Sequence, residues 1–289
     1  MATTWSDVSD KLDGLYYPPQ YSGNLPIVLL TWSGAGANMW DTTPPQPAAV
    51  GLAAATAFPQ VFYWQPVGNY PASIVNPPLG QSVEDGYNEG VRLATQVWSD
   101  NLIIPLGYSE GAICGSHWWR DFVLANNLAS RVPAGLMWGN PCRSPGFANG
   151  NAYAGWGMPG MVDGVLTGGI AGPDDLTPDQ TPSNWLDFVW LGSDGGATEL
   201  YSSCPVGPNP WTAEAPPGYV ETTVYNAVYD PSLGTVAEVA ADVGMPIADA
   251  EAIANGLNFL GAGAAADHYD YDITPMVNYL TNVVAPIFA

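Results

Sequence analysis

Basic residues are nearly absent from this sequence: Lys and Arg number 5 against 27 Asp and Glu, a formal net charge of −22 over 289 residues. A chain of that sign repels a polyphosphate backbone, which argues against nucleic acid as a partner. Cysteine is scarce too. Cys114, Cys142 and Cys204 form an odd set that permits at most one disulfide and shows no zinc-ligand spacing, so free and mostly buried thiols are expected. No apolar run reaches the roughly 18 residues of a membrane span, and no stable membrane insertion is expected. Residues 1–25 carry Asp7, Asp10, Lys11 and Asp13 where a secretory signal would have a basic start and an apolar centre. Synthesis in a cytoplasm, without a signal peptide, is the expectation.

The chain is rich in Gly (33), Pro (28) and Trp (12), with 47% hydrophobic residues. That describes a loop-rich globular protein with a sizeable core and neutral aromatic surface, compatible with carbohydrate or lipid ligands. Five short apolar runs, residues 26–32, 61–65, 102–106, 134–138 and 185–191, suit strands buried on both faces of a parallel sheet. Between the second and third, Val83, Tyr87, Val91, Ala94 and Trp98 recur at helical spacing behind Ser82 as N-cap. Strands alternating with helices predict an α/β fold with a mainly parallel central sheet, whose ligand site lies at the carboxyl ends of the strands. Residues 144–184, rich in Gly and Pro, read as a long functional excursion. Residues 205–266 read as a helical insertion, with Val236, Val239, Ala240 and Val243 on one helix and Ala250, Ile253, Leu257 and Leu260 on a second. Thr274 and Pro275 open a last helix with Val277, Leu280 and Val284 inward.

Gly107-Tyr108-Ser109-Glu110-Gly111 follows an apolar run and precedes a helix-compatible stretch. In that context G-x-S-x-G marks a nucleophile elbow, where the glycines allow a tight turn that exposes the serine oxygen; without it the pattern is an ordinary turn. A hydroxyl needs a base to take its proton, and the chain has two histidines. His117 follows Ser109 by eight residues along one helix, about 12 Å away by axial rise. His268 remains as the base. The acid that orients it should follow a late strand, where Asp194 and Glu199 both qualify. Backbone amides of Ser33-Gly34-Ala35-Gly36, Ala35 foremost, with the amide of Glu110, form the expected oxyanion hole. The rival reading of that loop, a dinucleotide fingerprint, fails at its third glycine, which is Met39. No spacing calls for a metal or another cofactor.

Beyond the elbow, the segments Trp64-Gln65-Pro66-Val67-Gly68-Asn69-Tyr70-Pro71-Ala72, Ser82-Val83-Glu84, Trp138-Gly139-Asn140-Pro141 with Arg143, Gly146 and Phe147, and His268-Tyr269 resemble the lysin B proteins of mycobacteriophages, which are cutinase-related esterases. The similarity runs in order from Pro26 to the C-terminus. It implies a cutinase-like α/β-hydrolase core over residues 1–204 and 267–289, and a linker walling a lipid channel over 205–266. The implied activity is hydrolysis of the ester joining mycolic acids to arabinogalactan, at the mycobacterial envelope during phage-induced lysis, by a monomer released from the host cytoplasm. Matching the Leu200-Tyr201-Ser202 that follows assigns Glu199 to the acid position. Two departures stand out: Glu110 replaces the family's usual Gln, setting a carboxylate beside the oxyanion hole, and the family's acid, commonly Asp in a Gly-Asp-x-Tyr segment, is matched here by Glu199 in Ala197-Thr198-Glu199-Leu200-Tyr201. No peptidoglycan-binding extension is recognisable. A general cutinase-like lipase without envelope specificity is the alternative enzyme, and a non-catalytic carbohydrate- or lipid-binding module, suggested by the tryptophans, is the alternative outside enzymes.

Overall fold

The computed structural model describes residues 26–74, 76–159, 166–192, 199–207, 209–211, 219–230 and 267–289. They fall into two compact units, one made of residues up to Ala72 with Val83–Met137 and Asp272–Ala289, the other of Ser73–Ser82 and Trp138–Tyr271.

The first unit is built on parallel strands. β1 (Ile27–Trp32) is buried along its whole length, as its unbroken apolar sequence requires. It pairs in parallel with β2 (Phe62–Pro66) on one side and with β3 (Ile103–Tyr108) on the other, and the order continues to β4 (Gly135–Trp138), giving β2-β1-β3-β4. Helix α1 (Pro47–Ala57) begins with Pro at its first position and continues in alanine, the residue of highest helix propensity. Helix α2 (Leu79–Arg92) runs on into a wider π turn at Leu93–Val97. Along this helix and turn, Val83, Ala94 and Trp98 are buried as the periodicity read from the sequence expects, whereas Tyr87 and Val91 are only half-buried and Leu93 is buried beside Ala94 instead. Ser82 does not cap it. The helix opens one turn earlier, behind Pro77 and Pro78, and Ser82 is fully buried inside it, its hydroxyl accepting from Ser73 N–H at 3.1 Å. Helix α3 (Glu110–His117) follows β3 directly.

The C-terminal helix runs Thr274–Tyr279 and onward to Phe288. It buries Met276, Tyr279, Leu280 and Val284, whereas Val277, expected inward, is half-exposed one position away from that stripe.

In the second unit β6 (Trp185–Phe188) is fully buried. β5 (Thr167–Gly168) and β7 (Cys204–Pro205) form a small antiparallel pair that the sequence did not announce, each being two residues long. The stretch after Arg143, expected as a long loop, is anchored by that arginine: its wholly buried guanidinium donates to the carbonyls of Ser202 and Phe147 and to Thr167 Oγ1. One cation thus ties three segments with bonds that a loop cannot supply to itself. A further helix, Tyr219–Tyr229, was not expected; the two helices foreseen at Val236–Val243 and Ala250–Leu260, and most of the 205–266 insertion, lie outside the described residues. All three cysteines are free and buried, as expected. Among the described residues no helix is long and apolar enough to cross a membrane.

Candidate active site

The parallel register sets Trp32 opposite Gly107, so the chain leaves β1 beside the point where it leaves β3. At that point Ser109 adopts φ 56° and ψ −121°, a left-handed conformation that costs a non-glycine residue about 1–3 kcal/mol and persists only where its surroundings enforce it. Both glycines of the motif are required sterically. A methyl group on Gly107 would sit 2.5 Å from the Gly111 carbonyl oxygen, and one on Gly111 would overlap the Trp32 carbonyl oxygen. The result is the sharp strand-to-helix turn read from the sequence, with Ser109 half-buried at its apex and its carbonyl accepting from Ala112 and Ile113.

The loop after β1 closes around this turn. A methyl group on Gly34 would lie 3.3 Å from Ser109 Cβ and 2.8 Å from the Tyr108 ring. The loop is fixed by four bonds: Gly34 N–H donates to Gln46 Oε1 (2.9 Å), Gly36 N–H to Ala72 O (2.7 Å), Ser33 Oγ to Asn38 O (3.1 Å), and Tyr70 OH to Ser33 O (2.7 Å). Ala35 is exposed, and among the described residues nothing accepts from its amide. Glu110 opens α3, at the helix end where backbone N–H groups point outward and the dipole favours negative charge. Its side chain is buried on the side of Tyr70 and Cys114. Burial first, and the Glu110 charge after it, push the Cys114 thiol well above its usual range; the same two influences, with Cys114, raise Tyr70. The carboxylate that the sequence set beside the oxyanion loop is therefore directed into the first unit's interior.

In the second unit His268 lies in a short turn, Asp267–Tyr269, and is almost wholly buried. Its Nδ1 faces both carboxylate oxygens of Glu199, at 3.3 Å from Oε1 and 3.2 Å from Oε2. Glu199 is completely buried and accepts from Ser202 N–H (3.1 Å) and Ser202 Oγ (3.0 Å), and that hydroxyl also meets Tyr271 OH at 3.2 Å. Tyr201 stacks on the imidazole at a centroid separation of 4.2 Å, and Tyr269 meets it edge-on. Burial raises the Tyr201 phenol far above its normal pKa, so it remains a neutral wall. A carboxylate held this way fixes which imidazole nitrogen carries the proton and stabilises the ring when it becomes charged. Asp194, the other candidate acid, lies outside the described residues. His117, set aside on distance, ends α3 half-buried in the first unit.

Sequence reasoning missed Ser202, Tyr271, Gln46 and Tyr70, the residues that hold the acid and the loop. Only Ser202, three positions after Glu199, carried a local signal: a hydroxyl at that spacing can turn back to the carboxylate. The second unit holds two further buried carboxylates. Burial raises Asp187 to about 6, countered by the Asn140 hydrogen bond and by Arg143, and raises Asp175 well above its normal range.

No family model matches the chain. It is 32% identical over 124 residues to Endolysin B of Mycobacterium phage D29, and 32% identical over 120 residues to Endolysin B of Mycobacterium phage L5. These matches take in 39% and 37% of this chain, which spans about half the length of the curated relatives, 47% and 46% respectively. The crystal structure of lysin B from Mycobacteriophage D29 superposes with a TM-score of 0.61 at 24% identity, covering 88% of this chain and 98% of that one. The resemblance to lysin B read from the sequence therefore holds, and the α/β-hydrolase fold is shared.

Proposed function

We propose that this chain is a serine carboxyl-ester hydrolase of phage lysis. Ser109 is the nucleophile, His268 its general base, and Glu199 the acid that holds the imidazole; the amides of Ala35 and Glu110 receive the oxyanion. The single observation that carries the reading is the left-handed Ser109 at the apex of the turn between β3 and α3. Similarity to Endolysin B supports the setting.

The chemistry follows from the roles. Ser109 Oγ attacks the ester carbonyl while its proton passes to His268 Nε2. Glu199, accepting from Nδ1–H, stabilises the imidazolium and keeps the other nitrogen available. The tetrahedral oxyanion draws the two amides, and its collapse breaks the C–O bond as His268 returns the proton to the departing alcohol. Water, deprotonated by the same imidazole, then attacks the acyl-Ser109 ester; carboxylic acid and free serine result.

The finer reading is that the ester joins mycolic acids to arabinogalactan at the mycobacterial envelope, with residues 205–266 as the linker beside the lipid path. The net charge disfavours nucleic acid as a partner, and among the described residues no helix is long and apolar enough to cross a membrane. Purified mycobacterial envelope is the discriminating substrate: free mycolate is expected from the wild-type chain and none from Ser109→Ala. Hydrolysis of p-nitrophenyl esters without mycolate release would leave a general esterase, and p-nitrophenyl turnover by Ser109→Ala would overturn the nucleophile.

A further inference from the structure

We propose that Ser202 and Tyr271 are positioning residues for the ester hydrolysis, acting through Glu199: they hold the acid in one orientation and set how much of its charge faces His268. This rests on the triad proposed above.

One short turn carries the parts. Glu199 O accepts from Ser203 N–H at 2.9 Å, which closes residues 199–203 on themselves. On that turn stand the acid, the Tyr201 ring stacked on the imidazole, and Ser202, which at three residues' spacing reaches back to the acid. Every polar atom of Ser202 is committed. Its N–H and Oγ–H both go to Glu199 Oε1, at 3.1 and 3.0 Å, its carbonyl accepts from the buried Arg143 guanidinium, and its Oγ lies 3.2 Å from Tyr271 OH. A residue held at all of these points keeps the carboxylate it grips from turning.

The direction of the last bond follows from counting protons. Ser202 Oγ has one proton and the Glu199 carboxylate, which can only accept, takes it; the proton between the two hydroxyls is therefore the one on Tyr271. Backbone hydrogen bonds from Trp190 and Gly139 to the phenol oxygen agree with this, since it accepts there and donates to Ser202. The chain runs from Tyr271 O–H to Ser202 Oγ–H to Glu199 Oε1, with His268 Nδ1 at 3.2 Å from Oε2. Each bond in such a chain polarises the next. Burial first, and the Glu199 charge after it, hold the Tyr271 phenol well above its ordinary pKa, so the donor at the head of the chain keeps its proton. Glu199, Ser202, Tyr271 and His268 are all buried, where solvent does not replace a lost donor. Around them, burial first pushes the Tyr201 and Tyr269 phenols up as well, the Arg143 charge also acts on Glu199, and Asp267 lies with its carboxylate against Gly192. Tyr271→Phe leaves all of these in place.

The test is a double-mutant cycle on p-nitrophenyl butyrate, with Tyr271→Phe and Ser202→Ala each made alone and in the Glu199→Gln background, and thermal melting of every variant to verify the fold. Alone, Ser202→Ala should lose about 10-fold or more in kcat and Tyr271→Phe several-fold, with KM little changed. In the Glu199→Gln background no charge remains to be shaped, and the same changes should cost less than about 2-fold. The acid-side midpoint of kcat/KM, which reports proton release by the base, should rise by about half a unit in Tyr271→Phe, because the withdrawn donor leaves more negative charge facing the imidazolium. Equal losses with and without the carboxylate, together with an unmoved midpoint, would reduce both residues to packing and overturn the proposal. Where Ser202→Ala melts below the assay temperature, Tyr271→Phe, which removes one oxygen and keeps the ring, carries the cycle alone. Failure of the triad itself reads differently: Glu199→Gln would then turn over near wild type, and the two hydroxyls would lose their role with the acid they hold.

Discussion

His268 Nδ1 stands equidistant, within 0.1 Å, from the two oxygens of Glu199, at 3.2 and 3.3 Å, in a pocket closed to solvent. A glutamine in place of the acid keeps an oxygen for Ser202 but turns an N–H toward the imidazole, which forces the wrong tautomer. Glu199→Gln should therefore retain its melting behaviour and lose about 10³–10⁴-fold in kcat on p-nitrophenyl esters, by analogy with acid-to-amide changes in serine hydrolases. Turnover near wild type would remove Glu199 from the mechanism.

Gln46 is a positioning residue for the β1 loop, since its Oε1 takes the Gly34 amide one residue before Ala35. Gln46→Glu preserves an acceptor at that point and Gln46→Met does not. The methionine variant should lose about 10-fold in kcat with little change in KM, because an oxyanion donor acts chiefly in the transition state. The glutamate variant should restore most of it. Equal losses in both variants would mean that the acceptor is irrelevant.

Gly111 admits no side chain, because an added methyl overlaps the Trp32 carbonyl. Gly111→Ala should cost about 1–3 kcal/mol or more in urea unfolding, the usual penalty for overpacking against rigid backbone. A neutral effect would show that α3 shifts away from β1 at little cost.

Asp187 binds its proton more tightly in the fold, at about 6, than in the unfolded chain, near 3.8. An acid of raised folded pKa holds more protons folded than unfolded between those values, so its contribution to stability falls as pH rises from about 4 to about 6 and stays lost above. The full span amounts to about 3 kcal/mol at 1.36 kcal/mol per unit. Asp187→Asn, which still accepts from Asn140, should melt like wild type near pH 4 and higher than wild type at pH 7. A lower melting temperature at pH 7 would show that the carboxylate is needed by the buried Arg143.

Buried parallel strands declare themselves as apolar runs, and all five expected runs contain strands, though β6 stops at Phe188 where the run continues to Leu191. The elbow was equally legible, because its glycines are dictated by atoms within a few residues and by the neighbouring strand. What stayed hidden depends on partners far along the chain. Thr167–Gly168 is a strand only because Cys204–Pro205 lies against it. Arg143 looked like one residue of a resemblance, and its burial against three segments follows from bonds to carbonyls, which no side-chain pattern records. Glu199 and Asp194 were indistinguishable by residue type; the resemblance favoured Glu199, which meets His268 among the described residues, while Asp194 lies outside them.

Among the described residues the few cations are all held by partners within the molecule. Arg92 is clasped by Glu89, Arg120 by Asp121, Arg131 by the carbonyls of Ala94, Trp98 and Asn101, and Arg143 by its own interior, while Lys11 lies outside the described residues. Toward its surroundings the protein therefore behaves as a polyanion wrapped in a cloud of mobile counter-ions. Against any anionic interface, dissolved salt sets how near the protein can settle before aromatic or apolar contacts take hold, and adsorption should strengthen as the Debye length contracts from about 30 Å at 0.01 M to about 8 Å at 0.15 M.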